Sequence, residues 1–112
     1  MSESLGDWQR SVSCGELGSG DVGREATVMG WVHARRDHGG LVFLDVRDRT
    51  GIIQVVFHPE SSAEAHRRAG EARGEFVVAV QGRVAARSEE TRNPNLPTGD
   101  VEIDASEIRI LN

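Results

Sequence analysis

The chain contains no lysine, a single cysteine and no apolar run long enough to cross a membrane. All thirteen basic residues of the 112 are arginine, a bias that either a GC-rich genome or a preference for the planar guanidinium would produce. Cys14 has no second cysteine to pair with, so an internal disulfide is excluded and a reducing compartment is favoured. The N-terminus lacks the basic and apolar regions of a secretory signal, so we expect a cytoplasmic location.

The sequence also lacks the residue spacings that mark catalytic and metal sites. Its histidines and its cysteine are scattered without the spacing of zinc ligands, so no metal ion is expected (His33, His38, His58, His66 and Cys14). The glycine pair at 39–40 precedes a strand pattern and not a helix, unlike a phosphate-binding loop. No nucleophile–base pattern stands out, and we expect no enzymatic activity from this chain alone.

Length and charge limit the remaining classes. The 112 residues are enough for one hydrophobic core, and the net charge of −5 argues against a protein that coats nucleic acid non-specifically. A nucleic-acid site would therefore have to be local. We expect one domain, with a Gly/Ser-rich lead-in over residues 1–24 packed on a barrel formed by residues 25–112.

The chain predicts five strands and one helix. The strands are expected at 25–37, 41–49, 52–57, 76–87 and 101–105, followed by a short closing segment at 107–111. Gly30 and Gly82 interrupt the two long strands and predict a bulge or sharp coil there. A capping-box pattern of Ser61 with Glu64 predicts a helix over 62–73, ending at Gly74. Three strands, a helix and two strands indicate an all-β fold with one short helix, the five-stranded Greek-key OB barrel.

Phe43 breaks the alternation of the second predicted strand. Val42, Leu44 and Val46 form its inward set, which leaves Phe43 among charged residues on the outward side. Pairing with the next strand places Gln54 on that same outward face. An outward ring beside polar groups suits the stacking and edge recognition of an unpaired base. Burial of Phe43 beneath the lead-in as ordinary core is the alternative, although the OB barrel favours binding because this face of strands 2 and 3 binds oligonucleotides.

Charged residues near Phe43 have two interpretations each. The segment 35–38, which holds Arg35, Arg36, Asp37 and His38, either forms a solvated turn or contacts phosphate and bases at the rim of the face. The charged run at 45–49 favours a structural array of ion pairs, with Arg47 kept as a possible RNA contact. Glu102 would normally belong to a solvated face, but a carboxylate beside an RNA site can accept hydrogen bonds from base N–H groups.

Several segments resemble one family. They are CGEL at 14–17, GWVH at 30–33, RRDHGG at 35–40, LVFLDVRDR at 41–49, GIIQVVF at 51–57 and NPNLPTGDVEI at 93–103. Together they resemble the N-terminal anticodon-binding domain of bacterial aspartyl-tRNA synthetases, from about residue 14 to the end of the chain. Asparaginyl- and lysyl-tRNA synthetases share the fold and weaker versions of these motifs.

The resemblance implies a role for each matching residue. Phe43 would stack on the middle anticodon base, a uridine, whose edges Gln54 and Arg36 would bind. Glu102 would recognise the guanine-type first base. Arg87 and the loop around Asn93 would contact the backbone and the third base.

The resemblance also implies what the chain would lack. In the family a larger catalytic domain binds ATP, magnesium and aspartate, so this chain would hold no cofactor and would only recognise the anticodon loop of tRNA. We expect the domain to be a monomer and the parent enzyme a homodimer. Charging of asparagine tRNA as well is left open. A stand-alone or engineered OB-fold scaffold is the alternative.

Overall fold

The computed structural model describes residue 6 and residues 8–111. Residues 1–5 and 7, in the expected lead-in, and residue 112, at the end of the expected barrel domain, lie outside the described residues. The strands are β1 Glu25–His38, β2 Leu41–Asp48, β3 Gly51–Phe57, β4 Val77–Ala86 and β5 Val101–Ile110, and the helix α1 is Ala63–Ala69. They form a closed barrel in the order β1-β2-β3-β5-β4, with β3 and β5 parallel. This confirms the predicted five-stranded OB barrel with its helix between the third and fourth strands.

The barrel interior follows the predicted alternation of β2. Val42, Leu44 and Val46 are buried in the core, while Phe43 and Asp45 between them are half-buried on the outer side. Branched aliphatic residues suit this arrangement because they pack well on a pleated surface. Burial of these side chains provides the main stabilisation of the barrel.

The bulge of β1 lies at His33 and not at Gly30, where it was predicted. Val32 pairs with Val46 and Ala34 pairs with Asp45, so His33 is the extra residue. At Gly30 the pairing with β4 is regular. Gly30 instead allows the backbones of β1 and β2 to lie close together, because a Cβ at this position would collide with the carbonyl oxygen of Arg47.

The β2–β3 turn is one residue earlier than predicted. The two turn residues are Arg49 and Thr50, and Asp48 pairs with Gly51. Asp48 Oδ1 accepts hydrogen bonds from the N–H of Thr50 at 2.8 Å and from its hydroxyl at 2.7 Å. This Asx-type turn places the chain reversal at residues 49–50, one residue before the predicted position.

The helix is shorter than predicted. It begins after Ser62 and ends at Gly70, and the Ser61–Glu64 capping box is wrong because Ser62 is the N-cap residue. The hydroxyl of Ser62 donates to Ser106 O at 2.6 Å instead of capping the helix. Three small residues of the helix and the segment after it are buried, Ala65, Ala69 and Ala72.

The lead-in and the last strand complete the barrel. Two short 3₁₀ turns, Cys14–Glu16 and Ser19–Asp21, precede β1, and Cys14 and Leu17 are buried in the core. β5 is one strand with an irregular register opposite Gln81 and Gly82, where two segments were predicted. Within residue 6 and residues 8–111, none of the helices is long and apolar enough to span a membrane.

Candidate nucleic-acid interface

The bulge in β1 brings Arg36 to the outward face that carries Phe43. Without the extra residue His33, simple alternation from buried Val32 would turn Arg36 inward. With it, Arg36 pairs in register with Phe43, and Ala34 pairs with Asp45. Local disruption of a ladder therefore aims the guanidinium at the site, a common use of bulges.

Four side chains from four strands form a continuous hydrogen-bonded chain on this face. Arg36 donates to both carboxylate oxygens of Asp45, at 2.6 and 3.0 Å. The same guanidinium donates to Gln54 Oε1 at 2.9 Å, and Gln54 Nε2 donates to Glu102 Oε1 at 2.8 Å. We call Asp45, Arg36, Gln54 and Glu102 the polar relay.

The polar relay fixes the orientation of Gln54. Its side-chain oxygen faces a donor, Arg36, and its nitrogen faces an acceptor, Glu102, so a flipped amide would oppose like groups at both ends. Gln54 is 6% exposed. Because burial makes unpaired polar atoms costly, the observed orientation is strongly preferred.

The two carboxylates of the polar relay are balanced by two guanidinium groups, those of Arg36 and Arg87. A hydrogen bond from Arg36 to Asp45 raises the pKa of the guanidinium above its ordinary value, and burial opposes this in part. Two carboxylates, Asp45 and Glu102, surround this guanidinium and that of Arg87. The face therefore favours hydrogen bonding to bases over general attraction of phosphates.

Phe43 borders a surface cavity of about 360 Å³. The cavity is lined by Arg36, Asp37, His38, Phe43, Gln54 and Thr91. Phe43 is half-buried, and its register partner on the neighbouring strand, Val56, is 2% exposed. A partly exposed ring at the edge of a surface cavity can stack on a flat base.

Arg87 lies beneath the 88–100 loop, 6% exposed. Its Nε donates to Val101 O at 2.9 Å and its Nη1 donates to Thr91 O at 3.0 Å. Burial lowers the pKa of this guanidinium, with Glu102 and Asp45 opposing the shift. These contacts hold the loop residue Thr91 over the cavity.

Asn93 shapes the same loop through its side chain and backbone. Asn93 Oδ1 accepts from the N–H of Asn95 at 3.0 Å, and the Asn93 N–H donates to Gly99 O at 3.0 Å. The approach to Gly99 is so close that a Cβ there would collide with the carbonyl oxygen of Asn93. The loop is therefore closed on itself beside the site.

The three remaining predicted contacts lie in different places. His38 lines the Phe43 cavity. Arg35 reaches the end of α1 instead, where its guanidinium donates to the carbonyl oxygens of Gly70 and Ala72. Arg47 lies farther along β2, in register with Trp31.

Sequence reasoning missed Asp45 and Thr91 as parts of this site. The predicted ion-pair array at 45–49 is wrong: Asp45 pairs with Arg36, outside the array, and Asp48 caps the turn. The alternation of β2 places Asp45 on the same outward side as Phe43, and this pattern could have predicted Asp45 as part of the site. Among the described residues, no cluster of three histidine, cysteine, aspartate or glutamate side chains could hold a metal ion.

Comparison with known proteins identifies similar domains. A tRNA anticodon family model, described as an OB-fold nucleic acid binding domain, matches residues 26–111. An aspartate–tRNA(Asp/Asn) ligase from Oleidesulfovibrio alaskensis is 54% identical over 98% of this chain and 18% of that protein. The chain thus spans about a fifth of the length of the curated relatives it matches.

Solved structures show the same fold. Asparaginyl-tRNA synthetase from Pyrococcus horikoshii, complexed with asparaginyl-adenylate, matches with a TM-score of 0.76 and 27% identity, covering 91% of this chain and 22% of that one. An OBody bound to hen egg-white lysozyme matches with a TM-score of 0.80 and 29% identity, covering 93% of this chain and 94% of that one. Similar barrels therefore occur both inside a synthetase and as small binding proteins.

Proposed function

The chain belongs to the tRNA anticodon family of OB-fold nucleic acid binding domains, and on this premise we propose that it is the anticodon-binding domain of an aspartate–tRNA ligase. The observation that carries the proposal is Phe43, a partly exposed ring beside the polar relay. The partner is the anticodon loop of tRNA. The curated relatives are about five times longer than this chain and are named as aspartate–tRNA(Asp/Asn) ligases. We take the activity of the parent protein from that name.

The chain's role is recognition, and the chemistry would belong to the rest of the parent protein. That remainder would bind ATP and magnesium and join aspartate to tRNA. We propose no catalytic residue and no cofactor for the described part of this chain, and we assign the polar side chains of the site to hydrogen bonding with bases.

Recognition of the middle base follows from the polar relay. Phe43 stacks on the base, and Gln54 still has one N–H and one oxygen lone pair free of the relay. A uridine edge presents one N–H donor between two carbonyl acceptors, which matches this donor–acceptor pair. Arg36 adds donors for a carbonyl oxygen on the same edge.

Recognition of the first base falls to Glu102. Its Oε1 accepts from Gln54, and its other oxygen is available to accept from the N–H groups of a guanine-type base. Glu102 pairs in register with Gln54 across the parallel strands β3 and β5. Gln54 and Glu102, which would recognise adjacent bases, therefore lie side by side and are joined by a hydrogen bond.

The third base would meet the 88–100 loop. Arg87 orders this loop from beneath through Thr91 O, and the Asn93 turn closes it. Contact of Arg87 or Asn93 with the RNA backbone and third base stays a prediction. Their present hydrogen bonds support a role in placing Thr91 at the cavity.

The experiment is titration of the chain with an RNA hairpin that carries the loop triplet GUC. We expect saturable binding, weakened by about 1–3 kcal/mol in Phe43→Ala. Phe43→Leu is the matched variant, since it keeps apolar volume but removes the flat ring, and it should lose affinity nearly as strongly.

Two outcomes would contradict the proposal: equal affinity for GUC and scrambled loops, or unchanged affinity in Phe43→Ala. Either would favour a binding scaffold of another kind. A GUU loop in the same titration would show whether the domain also accepts the asparagine anticodon, as the name of the O. alaskensis relative states of that protein.

A further inference from the structure

A second surface cavity lies away from the polar relay, between the lead-in, β1 and the β2–β3 turn. Its volume is about 440 Å³, and Arg10, Trp31, Arg49 and Val77 are among its lining residues. We call these four residues the Trp31 surface. Trp31 is 38% and Val77 36% exposed, and the two pair in register between β1 and β4. They are two of the three large exposed hydrophobic residues in the described part of the chain.

The arginines around Trp31 have no carboxylate partners. Across residue 6 and residues 8–111, the side chains of Arg10 and Arg49 form no hydrogen bond or ion pair, and neither does the side chain of Arg47, the register partner of Trp31. Arg67 on α1, by contrast, is paired with Glu64 and Glu71. In a chain of net charge −5, three unpaired guanidinium groups around one exposed indole favour an anionic partner.

One carboxylate, Asp48, also lines this cavity. Its Oδ2 accepts from the N–H of Cys14 at 2.8 Å, and its Oδ1 accepts twice from Thr50. The charge of Asp48 is therefore directed into the turn, and the arginines remain available to an external anion.

The Trp31 surface continues the face that carries Phe43. Phe43, Asp45 and Arg47 share the outward side of β2, so Arg47 lies about 13 Å along the strand from Phe43. A strand of RNA whose bases occupy the polar relay would reach the Trp31 surface with neighbouring nucleotides. Unpaired arginines bind phosphates, and an exposed indole can stack on a base.

We propose that the Trp31 surface binds RNA outside the anticodon triplet, with Arg10 and Arg49 contacting phosphates and Trp31 contacting an adjoining nucleotide. This inference rests on the proposed function. The anionic partner is RNA and not an acidic protein, because Arg47, which pairs in register with Trp31, lies on the same outer side of β2 as Phe43.

The test compares the double variant Arg10→Ala/Arg49→Ala with the original chain, using a full GUC hairpin and a short single strand holding only the triplet. For the hairpin, the slope of log Kd against log salt should fall by about 0.7–0.9 per arginine. Hairpins with GUC and scrambled loops should weaken by the same factor, since phosphates carry no sequence. Affinity for the triplet strand should not change.

Arg67→Ala is the control for the effect of one arginine, because it removes a single guanidinium from the exposed side of α1, whereas the double variant removes two. It should leave the hairpin slope nearly unchanged. Trp31→Ala should weaken hairpin binding without changing the slope, which separates stacking from phosphate contact.

The outcomes separate the two proposals. If the hairpin depends on Phe43 but not on Arg10 and Arg49, the Trp31 surface does not bind RNA and a protein segment is the better occupant. If the hairpin does not bind at all, both proposals fail. An equal loss of slope per arginine in Arg67→Ala would mean that only the overall charge matters, and would also overturn the inference.

Discussion

Asp45 binds the guanidinium of Arg36, and Arg36 in turn orients Gln54, the residue proposed to recognise the middle base. Its two oxygens accept two of the three hydrogen bonds that Arg36 donates, and the third goes to Gln54 Oε1. A carboxylate on an RNA-binding face also repels phosphates, so its presence costs general affinity. Asp45 thus acts through Arg36, as a positioning residue that favours selectivity over affinity.

Asp45→Asn should therefore change affinity and selectivity in opposite directions. Losing the charge-assisted pair frees Arg36 to move, so discrimination between uridine and cytosine at the middle position should fall by about 1 kcal/mol, or roughly fivefold. The freed positive charge should strengthen binding of scrambled loops. Titrations of hairpins with GUC, GCC and scrambled loops measure both effects.

Glu25→Gln is the matched control for Asp45→Asn. Glu25 is an exposed strand carboxylate paired with Arg83 at 3.1 Å, so the charge change is equal. It should leave discrimination at the middle base intact. If Asp45→Asn weakened GUC and GCC loops equally, Asp45 would have a purely structural role.

At the scale of elements, β1 shows how far the sequence alone could lead. Alternation in β2 was strong enough to predict Phe43 on the outer face, because three branched residues mark the opposite side. Alternation in β1 did not predict the orientation of Arg36, because the extra residue of the bulge is His33 and nothing in the chemistry of His33 marks a bulge. The polar relay was therefore missed, because Arg36 faces Asp45 only after that bulge reverses the alternation.

The β2–β3 turn comes earlier in the chain than predicted and the helix ends before its predicted end, for related reasons. Thr50-Gly51 has the residue types of a two-residue hairpin turn, but the Asp48 side chain captures Thr50 and selects the preceding register. Arg35, from a distant strand, binds the carbonyl oxygens past Gly70 and satisfies the end of α1 there. Long-range side-chain contacts of this kind override local propensity.

The Asp48 turn predicts a dependence of stability on pH. Burial works to raise the pKa of Asp48, but hydrogen bonds from Cys14 and Thr50 together hold it below the ordinary value. The contribution is therefore present above the ordinary carboxyl pKa and is lost as the pH falls through the lower, folded value. Asp48→Asn should reduce the free energy of unfolding by about 1–3 kcal/mol at pH 7.

Urea unfolding of both chains between pH 7 and pH 3 measures this prediction. The gap between original and variant should stay constant near neutrality and narrow below about pH 4. A gap that is constant through the acid range would show that the Asp48 charge does not contribute.

At the scale of the whole molecule, different segments close the two ends of the barrel. The lead-in closes the end at the β2–β3 turn, where the N–H of Gly15 donates to Thr50 Oγ1 at 2.7 Å. Helix α1 lies at the opposite end, where His66 Nε2 donates to Gly40 O at 2.7 Å. Neither closure touches the cavity beside Phe43. Stability and recognition of the anticodon triplet are therefore expected to vary independently.

Leu17→Ala tests whether the lead-in belongs to the cooperative fold. Leu17 is 2% exposed in the barrel core, so its truncation should lower the free energy of unfolding by about 2–5 kcal/mol. Val22→Ala is the matched control, because Val22 lies in the same lead-in but is 50% exposed, and it should change stability by less than about 0.5 kcal/mol. Urea denaturation measures both, and hairpin titration below the unfolding transition should give unchanged affinity for both. Equal, small effects of the two variants would mean that the barrel folds without the lead-in, and a loss of RNA affinity in Leu17→Ala would couple the closed end to the recognition face.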